Sequence, residues 1–197
     1  MLRIIGGTYR GFKLERPPED IARPTVYRVR QAVFNILDSH FMTHHIACET
    51  CKVLDAFAGS GAYGFEAFSR GASALCFVEW HPLARQVLEQ NARRMKMPPL
   101  SYQILKDDLL KIKKLSQTYN LVFLDPPFGK GLLQAALTHL KNEKLLDPQS
   151  LVICESPLQE PFEICEGYSL LHHKEYGSIQ INILLSSGEC QSESPHS

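Results

Sequence analysis

The chain has 197 residues, of which 44% are hydrophobic and 21% are charged, and its formal net charge at pH 7 is zero. This length and composition are typical of a soluble globular protein with one domain, or with one domain and a small extension. No apolar run is long enough to cross a bilayer, and the N-terminal sequence MLRIIGGTYRG lacks a signal-peptide pattern, so we expect a cytoplasmic protein.

The N-terminal segment is basic although the whole chain is neutral. The first 30 residues hold seven basic and three acidic side chains, whereas the chain from residue 151 onward holds one lysine and seven glutamates. This asymmetry favours a local phosphate-binding surface, although a solvated charged face is an equal alternative from charge alone. Residues 3–5 and 12–14 are short apolar and basic runs joined by a glycine-containing turn, which predicts a small β-hairpin.

A helix is predicted after the proline-rich link RPPEDIARPT. Thr25, at the end of this link, can cap the helix with its side-chain oxygen. The apolar residues that share one face of the helix are Val29, Val33, Ile36 and Leu37. Arg28, Gln31 and Asn35 fall on the opposite face, so we expect the Arg28 side chain to reach solvent or a ligand.

From about residue 52 onward, strands and helices alternate. The predicted strands comprise residues 52–57, 74–79, 102–106, 120–125 and 151–155. One helix between them opens at Pro82, carries Leu83, Val87 and Leu88 on one face, and ends before Pro98. This alternation predicts a parallel sheet with helices on both faces.

Two further runs, residues 169–176 and 178–185, are separated only by Gly177 and predict an antiparallel hairpin at the sheet edge. The predicted fold class is therefore α/β, a doubly wound, Rossmann-like sheet of seven mostly parallel strands with an antiparallel C-terminal hairpin. We expect an N-terminal hairpin and helix extension over residues 1–45, a catalytic domain over residues 46–186, and a disordered polar tail over residues 187–197.

The six cysteines are far apart in the sequence, apart from one C-x-x-C formed by Cys48 and Cys51. No second cysteine pair and no histidine pair completes a zinc pattern. We therefore expect reduced thiols without a special role, and no metal site.

A glycine-rich loop, DAFAGSGAYG, follows the first predicted strand. Gly59, Gly61 and Gly64 satisfy G-x-G-x-x-G, and Glu79 ends the second predicted strand twenty residues after Gly59. The glycines let the backbone approach a ligand closely, and the acidic side chain can accept hydrogen bonds from both hydroxyls of a ribose. Taken alone, this pattern fits a dinucleotide enzyme as well as other adenosine-binding enzymes, and a tight structural turn also explains it.

Further acidic positions favour S-adenosylmethionine (AdoMet) over a dinucleotide. Asp55 lies four residues before the first glycine, where a carboxylate would repel a pyrophosphate but attract an ammonium or a sulfonium. Asp107 and Asp108 follow the third strand, where a carboxylate can accept a hydrogen bond from the adenine amino group. The predicted AdoMet-binding residues are Asp55, Phe57, Gly59, Ser60, Gly61, Glu79, Trp80, Asp107 and Asp108.

The fourth predicted strand ends in the sequence DPPF, residues 125–128, for which a dehydrogenase has no evident use. Consecutive prolines fix φ and supply no backbone N–H, so they end the strand and leave a stiff loop with acceptors beside an aromatic ring. An ordinary strand-ending turn is the alternative.

These motifs resemble those of class I AdoMet-dependent methyltransferases that act on exocyclic amino groups. The segments RIIGGTYRGFKL, RPTVYRVRQAVFNIL and EAFSRGA further resemble the RsmD-type 16S rRNA guanine-N2 methyltransferases, from Arg3 to about Leu185. That family usually has an acidic residue where this chain has Tyr27, and often a glutamate where it has Gln31. The resemblance implies AdoMet as methyl donor and 16S rRNA as partner, in the small ribosomal subunit or an assembly intermediate, and we expect a monomer.

In this interpretation the DPPF cluster is catalytic. Asp125 and the Pro126 carbonyl accept hydrogen bonds from the amino group and direct its lone pair at the methyl group. The prolines Pro126 and Pro127 keep these acceptors rigid, and Phe128 stacks on the target base. The predicted contacts to RNA phosphates are Arg3, Arg10, Arg23, Arg28 and Arg30.

Three alternatives remain open at this point. An adenine-N6 methyltransferase of DNA or RNA uses the same cluster, and a glutamine-N5 methyltransferase of proteins also acts on an amide nitrogen. The third is a catalytically silent RNA-binding assembly factor with a vestigial cofactor fold.

Overall fold

The computed structural model of the chain describes residues 2–18 and 27–187. The helices are α1 (Tyr27–Thr43), α2 (Ala62–Ser69), α3 (Pro82–Arg94) and α4 (Leu132–Asn142), with 3₁₀ turns at Cys48–Thr50 and Leu109–Lys111. The strands are β1 (Lys52–Asp55), β2 (Ala74–Val78), β3 (Tyr102–Leu105), β4 (Tyr119–Leu124), β5 (Leu146–Pro157), β6 (Tyr168–Tyr176) and β7 (Ile179–Ser186). None of the helices in the described ranges is long and apolar enough to span a membrane.

The seven strands form one sheet in the order β3-β2-β1-β4-β5-β7-β6. Strands β1 to β5 run parallel to one another, and β7 lies antiparallel between β5 and β6. This confirms the predicted fold class, including the C-terminal hairpin. The chain leaves β1 toward β2 on one side and later returns to β4 on the other, so the strand order reverses between β1 and β4. Open α/β sheets bind ligands at the carboxyl ends of the strands beside such a reversal.

Alternate residues of the central strands enter two separate apolar layers. In β1, Val53 packs in the layer of α1, α2 and α3, whereas Leu54 packs in the layer of α4. In β4, Phe123 and Val122 divide in the same way. Because side chains alternate along a strand, Asp55 follows Val53 onto the α1–α3 side of the sheet.

Helix α3 begins at Pro82 as predicted, but its buried face differs from the prediction. Leu83 is 46% exposed. The buried side chains of this helix are Ala84, Leu88, Asn91 and Ala92. Their spacing of three and four residues defines the stripe that faces the sheet, and Leu83 lies just outside that stripe.

Helix α1 buries most of its predicted apolar face and exposes its predicted polar face. The buried side chains include Val29, Val33 and Leu37, and Arg28, Gln31 and Asn35 are exposed. The predicted cap Thr25 and residues 188–197 of the predicted tail lie outside the described residues.

The N-terminal segment forms the predicted hairpin, reduced to a single antiparallel bridge between Arg3 and Lys13. The Ile4 N–H donates to the Phe12 carbonyl at 3.0 Å, and the Gly11 N–H donates to the Ile4 carbonyl at 2.9 Å. Its apolar side chains Leu2, Ile4 and Leu14 are buried in the same layer as α1 and α2. The division of the chain into an extension and a catalytic domain stays a prediction.

A side chain of helix α2 binds the backbone of this hairpin. The carboxylate of Glu66 is fully buried and accepts hydrogen bonds from the N–H groups of Ile5 at 2.7 Å and Gly6 at 2.8 Å. A β-carbon added to Gly7 would lie 1.8 Å from the Ser69 carbonyl oxygen. Only glycine allows this approach, so the sequence IIGG is what lets the hairpin lie directly on the end of α2.

Candidate active site

The glycine-rich loop connects β1 to α2 with two residues in the left-handed region, Gly59 (φ 51°) and Gly61 (φ 74°). The Gly61 N–H donates to the Ala58 carbonyl at 2.6 Å and closes the turn. A β-carbon on Gly61 would lie 2.5 Å from the Phe65 ring and 2.6 Å from the Leu88 side chain. The loop therefore requires glycine at this position both for its backbone conformation and for close packing on α2 and α3.

Asp55 ends β1 beneath this loop and is 3% exposed. Its Oδ2 accepts the N–H of Gly64, in the first turn of α2, at 2.9 Å. Burial raises the pKa of Asp55 to about 7, the Gly64 hydrogen bond opposes that rise, and the charge of Glu79 adds to it. A cationic ligand beside Asp55 would favour the charged carboxylate and lower this pKa.

Glu79 follows β2 and joins the glycine loop to the residues before α3. Its Oε2 accepts the N–H of Gly59 at 2.8 Å, and its Oε1 accepts the N–H of His81 at 2.7 Å. Each carboxylate oxygen can accept a second hydrogen bond, so the side chain retains capacity for hydroxyl donors. Trp80 is 67% exposed, with its ring edge-on to that of His81.

The two acidic residues after β3 lie in different environments. Asp107 is exposed, and its Oδ1 accepts the N–H of Asp108 at 2.8 Å. Asp108 caps the turn Leu109–Lys111 by accepting the N–H of Leu110 at 3.1 Å. Capping explains Asp108 without a ligand, so Asp107 is the better candidate for contact with an adenine. The other predicted cofactor residues, Phe57 and Ser60, lie in the glycine loop, half-buried and buried respectively.

The DPPF cluster directly follows β4, the strand that pairs with β1. The Ala56 N–H donates to the Phe123 carbonyl at 3.0 Å, so the cluster begins beside the glycine loop. Its members are Asp125 and Phe128, which are half-buried, Pro126, which is buried, and Pro127, which is exposed. The next residue, Gly129, donates its N–H to Oε1 of Glu160 at 2.6 Å and so anchors the loop after the cluster.

Two residues that the sequence analysis did not single out also belong to this edge of the sheet. The hydroxyl of Tyr63 donates to Oε2 of Glu155 at 2.8 Å, and the Tyr63 ring stacks on Phe123 with 4.7 Å between centroids. Both Tyr63 and Glu155 are buried. The signal was an acidic residue at the end of a predicted strand, the same pattern that singled out Glu79.

The predicted RNA-contacting arginines do not share one environment. Arg3, Arg10 and Arg28 are exposed, and Arg23 lies outside the described residues. Arg30 is fully buried, its guanidinium donates to the Arg3 carbonyl, and its Nε lies 3.9 Å from Oε2 of Glu66. Burial lowers the pKa of Arg30, and Glu66 opposes this. The prediction that Arg30 contacts RNA is therefore wrong, because its side chain joins α1 to the hairpin inside the protein.

The described residues contain no group of three or more His, Cys, Asp or Glu side chains placed to hold a metal ion. Cys48 and Cys51 are free thiols at the turn Cys48–Thr50. This turn precedes β1 and the glycine loop follows β1, so the two cysteines lie near the amino end of this strand, away from the glycine loop.

The sheet topology, the glycine loop with its two acidic partners, and the DPPF cluster together define a Rossmann-like methyltransferase fold. The solved structure of yhhF from Escherichia coli superposes with a TM-score of 0.80 at 30% identity, covering 94% of this chain and 98% of that chain. The magnesium protoporphyrin IX methyltransferase of Synechocystis PCC 6803, solved with bound AdoMet, shares the fold with a TM-score of 0.60 at 17% identity, covering 84% of this chain and 87% of that chain.

Two curated proteins named ribosomal RNA small subunit methyltransferase D are similar to this chain over most of its length. The protein from Haemophilus influenzae is 32% identical over 185 residues, covering 92% of this chain and 92% of that protein. The protein from Escherichia coli is 33% identical over 195 residues, covering 98% of this chain and 93% of that protein. The family model described as conserved hypothetical protein 95 matches residues 2–185. The chain belongs to this family, which confirms the predicted resemblance to RsmD-type proteins.

Replacing Asp55 by asparagine should change how stability depends on pH. The folded protein has an Asp55 pKa of about 7, whereas the unfolded chain has the ordinary value of about 4. Folded protein therefore holds this proton more tightly, and the wild type loses stability as the pH rises between these two values, by up to about 4 kcal/mol.

The asparagine variant keeps an acceptor for the Gly64 N–H but cannot ionise. In urea denaturation without AdoMet, we expect the free energy of unfolding of this variant to exceed that of the wild type by roughly 1–4 kcal/mol near pH 8. Near pH 5 the difference should be clearly smaller. The same difference at both pH values would show that the pKa of Asp55 is not raised.

Proposed function

We propose that this protein transfers a methyl group from AdoMet to the exocyclic N2 amino group of a guanine in small-subunit (16S) ribosomal RNA. One observation carries the proposal: the DPPF cluster follows β4 directly beside the glycine loop that follows β1. This arrangement sets hydrogen-bond acceptors for an amino group next to a candidate AdoMet site. The relatives named as rRNA small subunit methyltransferases support rRNA as the substrate.

The residues at the carboxyl edge of the sheet fit AdoMet by their chemistry. Asp55, half-ionised near neutral pH when no cation is present, suits the positive charges of the ligand. Glu79 is held by two backbone N–H groups and keeps acceptor capacity for the ribose hydroxyls. Asp107 and the exposed ring of Trp80 are available to the adenine. When bound, AdoMet supplies a methyl group made electrophilic by its sulfonium.

The protein's contribution to the reaction is alignment. The amino nitrogen of a base is a poor nucleophile because its lone pair is delocalised into the ring. If Asp125 and the Pro126 carbonyl accept hydrogen bonds from its two N–H groups, the nitrogen becomes more tetrahedral and its lone pair faces the methyl group. A bound AdoMet would supply the methyl group to this nitrogen, and the methylated nitrogen would then release a proton to solvent. Phe128 holds the base, which must be unstacked, against this cluster.

The basic surface of the N-terminal hairpin and of α1 is assigned to rRNA phosphates. Arg3, Arg10 and Arg28 are exposed there, and the hairpin is fixed on α2, so these charges have a defined position relative to the DPPF cluster. We infer that the substrate is rRNA in the small subunit or in an assembly intermediate, that the protein acts in the cytoplasm, and that it acts as a monomer.

Transfer of labelled methyl from AdoMet tests the proposal. Purified protein is incubated with labelled AdoMet and either small ribosomal subunits that lack the modification or a mixture of ribosomal proteins. The label should enter the rRNA. Label in a protein glutamine would favour the glutamine-N5 alternative, and AdoMet binding without any transfer would favour the silent assembly factor.

Replacement of Glu79 by glutamine should weaken AdoMet binding, because a neutral amide is a poorer acceptor for the ribose hydroxyls. The expected loss in isothermal titration calorimetry is roughly 1–3 kcal/mol. Glu89→Gln is the matched control, since the Glu89 side chain on α3 is 52% exposed and pairs only with Arg93 among the ion pairs of the described residues. Equal affinity of the Glu79 variant and the wild type would remove the ribose assignment.

Replacement of Asp125 by alanine should abolish most methyl transfer while AdoMet affinity stays nearly constant. Loss of one aligned acceptor for transition-state charge commonly lowers the rate by about two to three orders of magnitude. Single-turnover kinetics measures the rate of methyl transfer, and calorimetry measures AdoMet binding. The Asp125→Asn variant keeps one carbonyl acceptor, so its rate should lie between those of the wild type and the alanine variant. Near-full turnover of the alanine variant would contradict the proposed role of the cluster.

The exposed arginines should determine how RNA affinity depends on salt. In the Arg10→Ala/Arg28→Ala double variant, the slope of log affinity against log salt should flatten by somewhat under one unit per lost phosphate contact. Arg93→Ala is the control, because Arg93 is 77% exposed on α3 and is not assigned to RNA. If the double variant keeps the wild-type slope and affinity, the RNA surface lies elsewhere and these arginines form only a solvated face.

A further inference from the structure

Guanine and adenine present different groups beside the amino nitrogen that a DPPF cluster would hold. In guanine, the N2 amino group lies next to N1–H, so two adjacent positions donate hydrogen bonds. In adenine, the N6 amino group lies next to an N1 lone pair, so a donor adjoins an acceptor. A site that selects guanine therefore needs a second acceptor beside Asp125, whereas a site that selects adenine needs a donor at that place.

The structure provides a second carboxylate at this place, that of Glu155. Strands β4 and β5 are parallel neighbours and pair Leu124 with Cys154, so Asp125 and Glu155 are the next residues along two adjacent chains. The residues two positions earlier on both strands lie in the apolar layer of α1, α2 and α3. By strand alternation, both acidic side chains follow them to that side of the sheet.

Tyr63 holds Glu155 in position. Its hydroxyl donates to Oε2 of Glu155 at 2.8 Å, and its ring is stacked on Phe123, two residues before Asp125. Burial, followed by the charges of Glu155 and Asp125, raises the pKa of Tyr63 well above its ordinary value, so the phenol stays a neutral donor. A carboxylate has about four acceptor positions, so it can accept a hydrogen bond from a base in addition to bonds from protein donors such as the Tyr63 hydroxyl.

We propose that Glu155 determines the choice of base. Its carboxylate accepts a hydrogen bond from N1–H of the target guanine, while Asp125 accepts a hydrogen bond from the N2 amino group. This inference rests on the proposed function and names the residue that gives it guanine specificity. An adenine in the same place would turn its N1 lone pair toward the Glu155 carboxylate. The repulsion between this lone pair and the buried carboxylate disfavours adenine.

The decisive substrate is 2-aminopurine, which carries the 2-amino group of guanine but has an N1 lone pair in place of N1–H. Small ribosomal subunits are reconstituted with ligated rRNA that carries either guanine or 2-aminopurine at the position methylated by the wild type, which mass spectrometry locates beforehand. The measured quantity is the ratio of kcat/KM for guanine to that for 2-aminopurine. Comparing this ratio between enzyme variants cancels the intrinsic difference in reactivity between the two amino groups.

The wild type should prefer guanine, and Glu155→Gln should narrow that preference by roughly 10- to 100-fold. The glutamine retains a carbonyl for the Tyr63 hydroxyl but also presents an N–H₂ group that can donate to N1 of 2-aminopurine. Tyr63→Phe, which removes the hydroxyl that orients Glu155, should narrow the preference less. AdoMet affinity should stay unchanged in both variants.

Glu160→Gln is the matched control, because Glu160 anchors the loop after the DPPF cluster through the Gly129 N–H and is not assigned to the base. It should slow both substrates equally and leave the ratio unchanged. If Glu155→Gln also slows both substrates equally, Glu155 has only a structural role and the inference is overturned. If the wild type forms no N2-methylguanosine in guanine-containing subunits, the proposed function itself is overturned.

Discussion

The hydrogen bond between the Asp55 carboxylate and the Gly64 N–H joins the end of β1 to the first turn of α2, and the candidate cofactor site is built around it. A β-carbon at Gly64 would lie 2.5 Å from the Phe77 ring and 3.1 Å from Asp55 Oδ2. Glycine at this position therefore lets α2 approach the sheet closely enough for the bond to form. Glu79 adds a second link by accepting the Gly59 N–H from the same loop.

These two links place buried or nearly buried negative charge at the carboxyl edge before any ligand is present. Burial raises the pKa of Asp55, and the hydrogen bond from Gly64 opposes this rise without cancelling it. A ligand with a sulfonium and an ammonium would supply the missing positive charge, whereas a pyrophosphate would add to the repulsion. The same G-x-G-x-x-G pattern that fits a dinucleotide thus favours AdoMet once its acidic partners are taken into account.

The position of the N-terminal hairpin depends on a second network, which is centred on the buried Glu66. Arg70 donates from Nε to Glu66 at 2.9 Å and lies 2.6 Å from the Asp38 carboxylate, so it connects α2 to α1. Arg30 and Glu66 meet on the inner side of the same junction. Removing a partner of the fully buried Glu66 would be strongly destabilising, because it would leave a buried charge without that partner. The basic surface on the hairpin is therefore presented from a fixed position.

Sequence reasoning reached the fold and the edge of the sheet where the site lies, because both follow from local patterns. Strand and helix periodicity, the proline pair and the glycine spacing are properties of neighbouring residues. Two of the errors and omissions involve contacts between distant parts of the chain, whereas Leu83 lies just outside the buried stripe of its own helix. Arg30 lies on the face of α1 that also carries Val33 and Leu37, and the Glu66 carboxylate, 36 residues later on α2, lies beside it in the interior. Tyr63 and Glu155 are 92 residues apart, so a local pattern marks Glu155 as an acidic residue at the end of a strand but does not reveal its partner.

Mass spectrometry of nucleosides from small-subunit rRNA, after incubation of unmodified subunits with the protein and AdoMet, tests the central claim most directly. We expect N2-methylguanosine to appear, in an amount that approaches one per rRNA molecule, without an increase in any other methylated nucleoside. Formation of N6-methyladenosine, or no newly methylated nucleoside at all, would contradict it.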